Sequence, residues 1–285
     1  MFRLACAAVL GTASLLFAGP GQKKIVLIAG PKSHGPVGNG IHDYGWSARL
    51  LQAMLRASNV RDQVRVEVHL DGWPRDSKAF DDAATIMILS DGRDGDQFAE
   101  ALHLESPERV RFVGELMQRG CGLVTFHFAT FTPQQYAAEV LEWCGGYFQW
   151  EQNGRRDWCS AITTLEGEVQ LKSPDHPVSR GLKPFRLKDE FYYNLRFPDD
   201  PEAIVPIAAV PELKGREPNG SVVAWARQRP RGGRGFGTTC GHFYDNWKNE
   251  SFRKLILNGI VWTAGLDVPA EGVEAPYFTR DELGQ

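Results

Sequence analysis

Apolar residues recur along this chain in two rhythms. Unbroken apolar runs, Ile25-Val26-Leu27-Ile28 within Lys23 to Ala29 and the segment Ala84 to Leu89, read as strands buried on both faces. Val64, Val66, Val68 and Leu70 alternate with polar residues, the signature of a half-buried strand. Helical spacing takes over at Trp46, Leu50, Ala53/Met54 and Ala57, and again from Phe252 to Ala264. Pro107 to Gln118 reads as a helix, with Ser106 as its N-cap and Gly120 as its stop. Residues 30–40 form a Gly/Pro-rich loop, and 161–228 is richer in strands, at Ala161–Thr164, Ala203–Ala208 and Val222–Ala226. A strand at Gly235–Thr239 follows. Strand and helix alternate, which predicts an α/β fold: a parallel sheet with helices on both faces, in one domain.

The stretch Gly122-Leu123-Val124-Thr125-Phe126-His127 is the most informative in chemical terms. An apolar, β-forming run ends at a histidine, and Thr132-Pro133 then opens a helix-like segment. α/β sheets place their ligands at such strand ends. In hydrolases of this build the turn carries a Ser or Cys nucleophile, whereas here it carries His127 between Phe126 and Phe128.

Other histidines fall at equivalent places. His34 follows the first strand, His42 shares its loop, and His242 follows the late strand at 235–239. The ends of parallel strands converge on one crevice, so these imidazoles are expected to meet. Their loop spacing is unlike the helical zinc-protease motif, but imidazoles beside a carboxylate suit Zn²⁺ or another divalent transition metal. His127 could equally act as a general acid or base, and the sequence leaves both roles open. Asp189-Glu190-Phe191-Tyr192-Tyr193 sets two acids before an aromatic pair, where a carboxylate could serve as base, metal ligand or orienter of a histidine. Tyr192, Tyr244 and Trp247 stand among several aromatics near these motifs, including Trp143, Trp150, Trp158, Tyr193 and Phe243, and are candidates for stacking on a sugar.

Composition narrows the classes. A formal charge of -3 gives no basic surface for nucleic acid, and Arg229, Arg231 and Arg234 read as a solvated hairpin. Neither the loop Gly30-Pro31-Lys32-Ser33 nor Gly-Arg-Gly-Phe-Gly at 233–237 has the context of a phosphate cradle, so no nucleotide cofactor is expected. Residues 1–19 read as a secretion signal: a short positive start, an apolar run from Leu4 to Ala18, then Gly19-Pro20. An exported protein, periplasmic or secreted, with no membrane contact beyond that signal, is the expectation. Cys121, Cys144, Cys159 and Cys240 would remain. Cys144 and Cys159 could pair, while Cys121 and Cys240 sit at strand-like, buried positions.

Taken in order, Ser33-His34-Gly35…His42-Asp43-Tyr44, the His127 strand, Asp175-His176-Pro177 with Gly181-Leu182, Asp189-Glu190-Phe191-Tyr192, and Gly241-His242 with Asn246-Trp247…Asn258-Gly259-Ile260-Val261-Trp262 resemble the trehalose-utilisation (ThuA-like) family. The resemblance spans 23–267, leaving 268–285 as a Pro- and Glu-rich tail expected to wrap the surface loosely. It implies a flavodoxin-like fold similar to class I glutamine amidotransferases with the nucleophilic cysteine missing, and a role in sugar metabolism beside oxidoreductases that make 3-keto-sugars. Phe128-Ala129-Thr130-Phe131 departs from the small, Ala-rich turn of the family's commoner pattern.

The expected function is therefore an exported enzyme acting on a small carbohydrate, a keto-sugar or glycoside, at a histidine-rich sheet edge. His127 and Glu190 are its catalytic candidates, His34, His42, His127 and His242 its metal-ligand candidates, and Tyr192, Tyr244 and Trp247 its substrate-binding candidates. The rival reading is a carbohydrate-binding protein without catalysis on an inherited enzyme fold. An amidotransferase or cysteine hydrolase is set aside, since no remaining cysteine follows a strand into a helix. A homodimer is the default oligomer.

Overall fold

The structure is a computed structural model, and it describes residues 21–92, 104, 106–153, 155–157, 159–216 and 218–284. The signal expected at 1–19 and Trp158 lie outside the described residues.

In chain order the elements are β1 (Lys23–Ala29), α1 (Tyr44–Ala57), β2 (Val64–His69), β3 (Ala83–Leu89), α2 (Pro107–Gln118), β4 (Gly122–Phe126), α3 (Ala137–Trp143), β5 (Glu151–Gln152), β6 (Arg155–Arg156), β7 (Ala161–Leu171), β8 (Phe185–Tyr193), β9 (Val205–Ala209), β10 (Val222–Gln228), β11 (Arg234–Thr238) and α4 (Glu250–Thr263). Nine of the strands form one sheet in the order β2-β1-β3-β4-β11-β10-β9-β7-β8, and β5 pairs with β6 apart from it. From β2 to β11 every pairing is parallel. From β11 onward every pairing is antiparallel. The parallel sheet expected from the sequence is therefore continued by an antiparallel arm, built from the strand-rich stretch after residue 160.

The apolar runs explain the layers. Along β1, Ile25, Leu27 and Ala29 enter one core, while Val26 and Ile28 enter the other. Each strand of the parallel half thus needs apolar residues at every position, which is why β1, β3 and β4 lack alternation. One core also takes Leu50, Leu51, Met54 and Leu55 of α1 and Ile256, Leu257 and Ile260 of α4. The other takes Val110, Val113 and Leu116 of α2 and Val140 and Trp143 of α3. Helices thus cover both faces. Ser106 caps α2 by accepting the Arg109 N–H, as its position suggested.

Two local expectations, for Arg229 and the tail, are corrected, and the pairing of Cys144 with Cys159 that the sequence left open is not formed. Arg229 is not solvated: it is buried, and its guanidinium donates to the carbonyls of Cys121, Trp143 and Arg234. It satisfies backbone acceptors that helix and strand ends leave unpaired. Cys144 and Cys159 form no disulfide, and all four described cysteines are free thiols. Cys144 lies against Thr125, while Cys159 donates to Gln152. The tail is not loose: Val268 and Val273 are buried in the core, Asn258 accepts the Val273 N–H, and the Arg280 guanidinium stacks on Trp46.

Strand order fixes where a site can form. β1 has β2 on one side and β3 on the other, so the chain reverses direction across the sheet between β1 and β3. Crevices in open α/β sheets open at such reversals. The loop carrying His34 and His42 leaves β1, Asp91 follows β3, and His127 follows β4, all at the C-terminal edge.

Candidate active site and metal centre

His127 is the first residue past β4, and it adopts a left-handed backbone (φ 50°). His34 (φ 60°) and His42 (φ 48°) do the same. Non-glycine residues are held in this region only where surrounding contacts compel it, and such strain gathers at functional sites. At His127 it produces the sharp strand-to-helix turn that projects a nucleophile in related folds, and here it projects an imidazole. That ring is completely buried. Its Nδ1–H donates to the Thr239 carbonyl at 2.6 Å, which leaves Nε2 as the lone-pair nitrogen.

Nε2 of His127 points at the other histidines. It lies 3.0 Å from His42 Nε2 and 3.3 Å from His242 Nδ1, and the latter two are 3.0 Å apart. Glu190 closes the group, with Oε2 3.2 Å from His242 Nδ1 and 3.8 Å from His127 Nε2. One ligand atom from each of the four lies within 4.8 Å of all the others. Nitrogens sharing one ion at about 2.1 Å stand about 3.0–3.4 Å apart, depending on the coordination geometry. The observed separations fit that range.

Electrostatics favour the same use. Burial, with the neighbouring His242 and His34, pushes His42 down to about 2. Burial, with His42 and His242, holds His127 well below the usual imidazole range. Both rings are therefore neutral lone-pair donors. Burial opposes the Glu190 charge, but the hydrogen bond with His242 and the pull of His127 and His242 outweigh it and leave the carboxyl below its ordinary value. The neutral imidazoles of His42 and His127, with the His242 ring and an ionised carboxylate beside them, are a donor set for a divalent transition metal.

The surrounding shell orients these ligands. Asp91 Oδ1 accepts from Tyr44 Oη at 2.5 Å and from Ser33 Oγ at 2.8 Å. The Tyr44 proton is committed to Asp91, so its oxygen is left to accept His42 Nδ1–H at 3.0 Å. That fixes His42 Nε2 as the inward lone pair, the usual device of carboxylate-backed metal ligands. Burial raises the Asp91 carboxyl, against the hydrogen bonds from Tyr44 and Ser33 and the charges of His34 and Lys32. On the opposite side, fully buried Asp189 accepts the N–H groups of Gly241 (2.7 Å) and His242 (3.0 Å). It thereby ties the end of the antiparallel arm to the turn after β11. Gly241 is required there: it has φ 124°, and a Cβ would lie 2.1 Å from the Phe126 ring.

The expected site residues divide as follows. His42, His127, His242 and Glu190 come together. His34 joins a different group, with His42 and Asp91, at the exposed side. Tyr192 reaches the centre, with Oη 2.8 Å from His127 Nε2 and its ring stacked on His127. Tyr244 and Trp247 do not. Both are buried in the core, where Trp247 stacks on Phe126 and donates to Ser47, and Tyr244 packs on Trp46. Their proximity in sequence to His242 suggested a platform, but the turn that aims His242 inward sends them into the interior.

Sequence reasoning missed Asp91, Tyr44 and Ser33 as partners, and Asp189 as the holder of the His242 turn. Asp91 carried a signal, an acid directly after a buried strand beside the His34 loop. Burial pushes the Cys121 thiol up to about 12, Cys144 to about 11 and Cys240 far above the usual thiol range.

The family model for trehalose utilisation (ThuA) matches residues 42–263. Among solved structures, the chain is similar to a ThuA-like protein from Parabacteroides merdae (TM-score 0.61, 17% identity, covering 90% of this chain and 98% of that one). It is similar also to a ThuA-like protein from Bacteroides uniformis (TM-score 0.60, 14% identity, 90% and 97%). A cytoplasmic protein of Salmonella typhimurium shares the fold at TM-score 0.52 and 14% identity, covering 85% of this chain and 98% of that one. No curated protein matches the chain.

Proposed function

The chain belongs to the trehalose-utilisation (ThuA) family, and from that premise we propose an exported enzyme of carbohydrate metabolism whose centre is a divalent transition metal held by His42, His127, His242 and Glu190. The observation that carries this reading is the convergence of three imidazole nitrogens within 3.0–3.3 Å of one another, with two of the rings fixed by their outer hydrogen bonds to offer lone pairs inward. Hydrogen bonds among the rings alone satisfy such an arrangement poorly, because facing lone pairs repel. A bound metal would supply Lewis acidity, to polarise a sugar carbonyl or to activate water.

The chain's own residues take distinct parts. His127 is completely covered and donates Nδ1–H to Thr239, so it suits an inner ligand better than a group meeting substrate protons. Glu190 keeps 24% of its side chain exposed and is the anionic member nearest the open crevice. Tyr192 brings a hydroxyl to the centre, and burial, together with Glu190 and Asp91, keeps it protonated, so it remains a donor. The family's description, trehalose utilisation, supports a small carbohydrate as the substrate class. A keto-sugar suits the chemistry, because polarising its carbonyl acidifies the neighbouring C–H for removal by a carboxylate. The reading as a binding protein alone loses support, because Tyr244 and Trp247 are buried away from any accessible face.

The test uses the mature protein purified without chelators, with metals measured by elemental mass spectrometry. Near-stoichiometric divalent metal is expected in the wild type and is lost in His127→Ala. In D₂O, the loaded protein is expected to exchange the hydrogens flanking the carbonyl of a 3-keto-glucoside. No metal in either protein after attempted reloading removes the metal centre. Metal without exchange removes the keto-sugar chemistry. Sequencing the N-terminus of protein recovered outside the cytoplasm tests export.

A further inference from the structure

We infer that Arg280, in the segment that follows α4, is a positioning residue of the histidine centre: it clamps the loop that carries His42 against the turn that carries His242. The inference rests on the reading above only in taking those two histidines as ligands of one metal.

The need for a clamp follows from the seam between these two stretches. His42 and His242 are 200 residues apart in sequence, yet His42 Nε2 stands 3.0 Å from His242 Nδ1. Their backbones meet in one antiparallel bridge, Ile41 with Phe243. Two hydrogen bonds cross it. The His42 N–H donates to the His242 carbonyl at 3.2 Å, and the Tyr244 N–H donates to the Gly40 carbonyl at 2.8 Å. A two-stranded pairing this short is marginal by itself. The loop side also contains Gly35, Gly38 and Gly40, all at positive φ, and glycine loses more backbone freedom on ordering than any other residue. Asp43 accepts the N–H groups of Gly38 (3.0 Å) and Gly40 (2.7 Å), but those bonds stay within the loop.

Arg280 spans the seam. Its guanidinium carbon lies 4.2 Å from the centre of the Trp46 ring, on the first turn of α1, and 4.9 Å from that of Tyr244, on the turn after β11. Those two rings meet edge to face at 5.7 Å. Nη1 of Arg280 donates to the Gly38 carbonyl at 3.2 Å. One side chain thus touches the loop, the helix that follows it and the facing turn. A planar guanidinium can stack on rings and donate from its edge at once, which a lysine ammonium does not match. Other residues bring Arg280 to this place. Asn258 Oδ1 accepts the Val273 N–H at 2.7 Å, Asn59 Oδ1 accepts the Glu274 N–H at 3.0 Å, and the Asn59 N–H donates to the Glu274 carbonyl at 3.1 Å. The Arg253 guanidinium then lies 5.5 Å from the Tyr277 ring centre. The segment is therefore anchored on α4 and just past α1 before it reaches the loop, and Arg280 can be altered without releasing it.

The experiment compares the full mature wild type with Arg280→Ala and Arg280→Lys. Amide hydrogen exchange of chelator-treated protein is followed by mass spectrometry on peptides covering 38–44 and 240–246, with 268–276 as the reference. Release of Zn²⁺ from reloaded protein is followed by competition with a chelator. In Arg280→Ala the seam peptides are expected to exchange, and Zn²⁺ to leave, about tenfold faster than in the wild type, the loss of one stacked cation and one hydrogen bond. The reference peptide should keep its wild-type rate, because its anchors do not involve Arg280. Arg280→Lys keeps the charge without the planar fork, and its rates should stay within about threefold of those of Arg280→Ala. Seam exchange unchanged in Arg280→Ala, equal acceleration of the reference peptide, or wild-type rates in Arg280→Lys overturns the clamp. Faster seam exchange with unchanged Zn²⁺ release overturns the positioning role. Wild-type protein that takes up no Zn²⁺, while the seam loosens as expected in Arg280→Ala, overturns the metal reading and supports the clamp on His42 and His242.

Discussion

Asp189 is fully buried, yet it is the residue on which His242 depends. Its two oxygens take the N–H groups of Gly241 and His242, and Oδ1 also takes that of Glu190. Truncation to alanine strands these buried donors, and each costs about 1–3 kcal/mol when unsatisfied. Asp189→Ala is therefore expected to lower unfolding free energy by about 2–4 kcal/mol and to weaken metal retention, read by urea titration and elemental analysis. A merely local role would leave metal content unchanged. The sequence showed Asp189 and Glu190 as adjacent acids, and period-two geometry places them on opposite faces of a strand. It could not say which face met the histidines, because that depends on how the antiparallel arm returns to the sheet edge. His176 offers a residue-scale test far from the site. Burial, with Arg234 and Arg180 nearby, pushes it down to about 4, and Nδ1 accepts the Val178 N–H. Its folded value is depressed below the free imidazole's, so the unfolded chain binds more protons between about 4 and 6.5. Stability should fall as pH drops through that window and level off below it. His176→Gln should flatten this component of a pH series of denaturation midpoints.

At the scale of elements, the parallel half was legible because burial on both faces leaves a plain mark in sequence. β1, α2 with its Ser106 cap, and the end of β4 at His127 all followed from apolar runs and punctuation. The antiparallel arm was less legible. β8 alternates buried and exposed residues from Phe185 to Asp189, but the strands read within 161–228 were Ala161–Thr164, Ala203–Ala208 and Val222–Ala226, with none over 185–193. The Arg229 hairpin was misread for a related reason: arginine is counted as solvated unless carbonyls from distant elements are known to await it. Those carbonyls end β4's approach and α3. Arg229→Ala should cost about 2–4 kcal/mol, since it leaves buried acceptors without donors, whereas Arg231→Ala on the same hairpin should stay within about 0.5 kcal/mol. Equal effects in thermal or urea unfolding would mean that the buried guanidinium contributes no more than a surface charge.

The whole molecule supplies what no single segment holds. His42, His127, His242 and Glu190 leave four different stretches of chain, two of them about 200 residues apart, and only the folded sheet edge brings their ligand atoms within 4.8 Å. The unfolded chain has no comparable site, so a metal that binds the centre binds the native state almost exclusively. Linkage then fixes the expected effect: free metal at 100 times its dissociation constant adds about 2.7 kcal/mol to unfolding free energy. Added Zn²⁺ should raise the urea midpoint of the wild type without changing the slope, because the surface exposed on unfolding is unaltered. In His127→Ala the increment should vanish, since removing one inner ligand also leaves the Thr239 carbonyl without its donor. In Tyr244→Phe it should persist in full, because Tyr244 lies in the core away from the donor group and its hydroxyl has no hydrogen-bond partner to lose. A midpoint equally insensitive to Zn²⁺ in all three proteins would mean that the converging imidazoles are organised for something other than a metal.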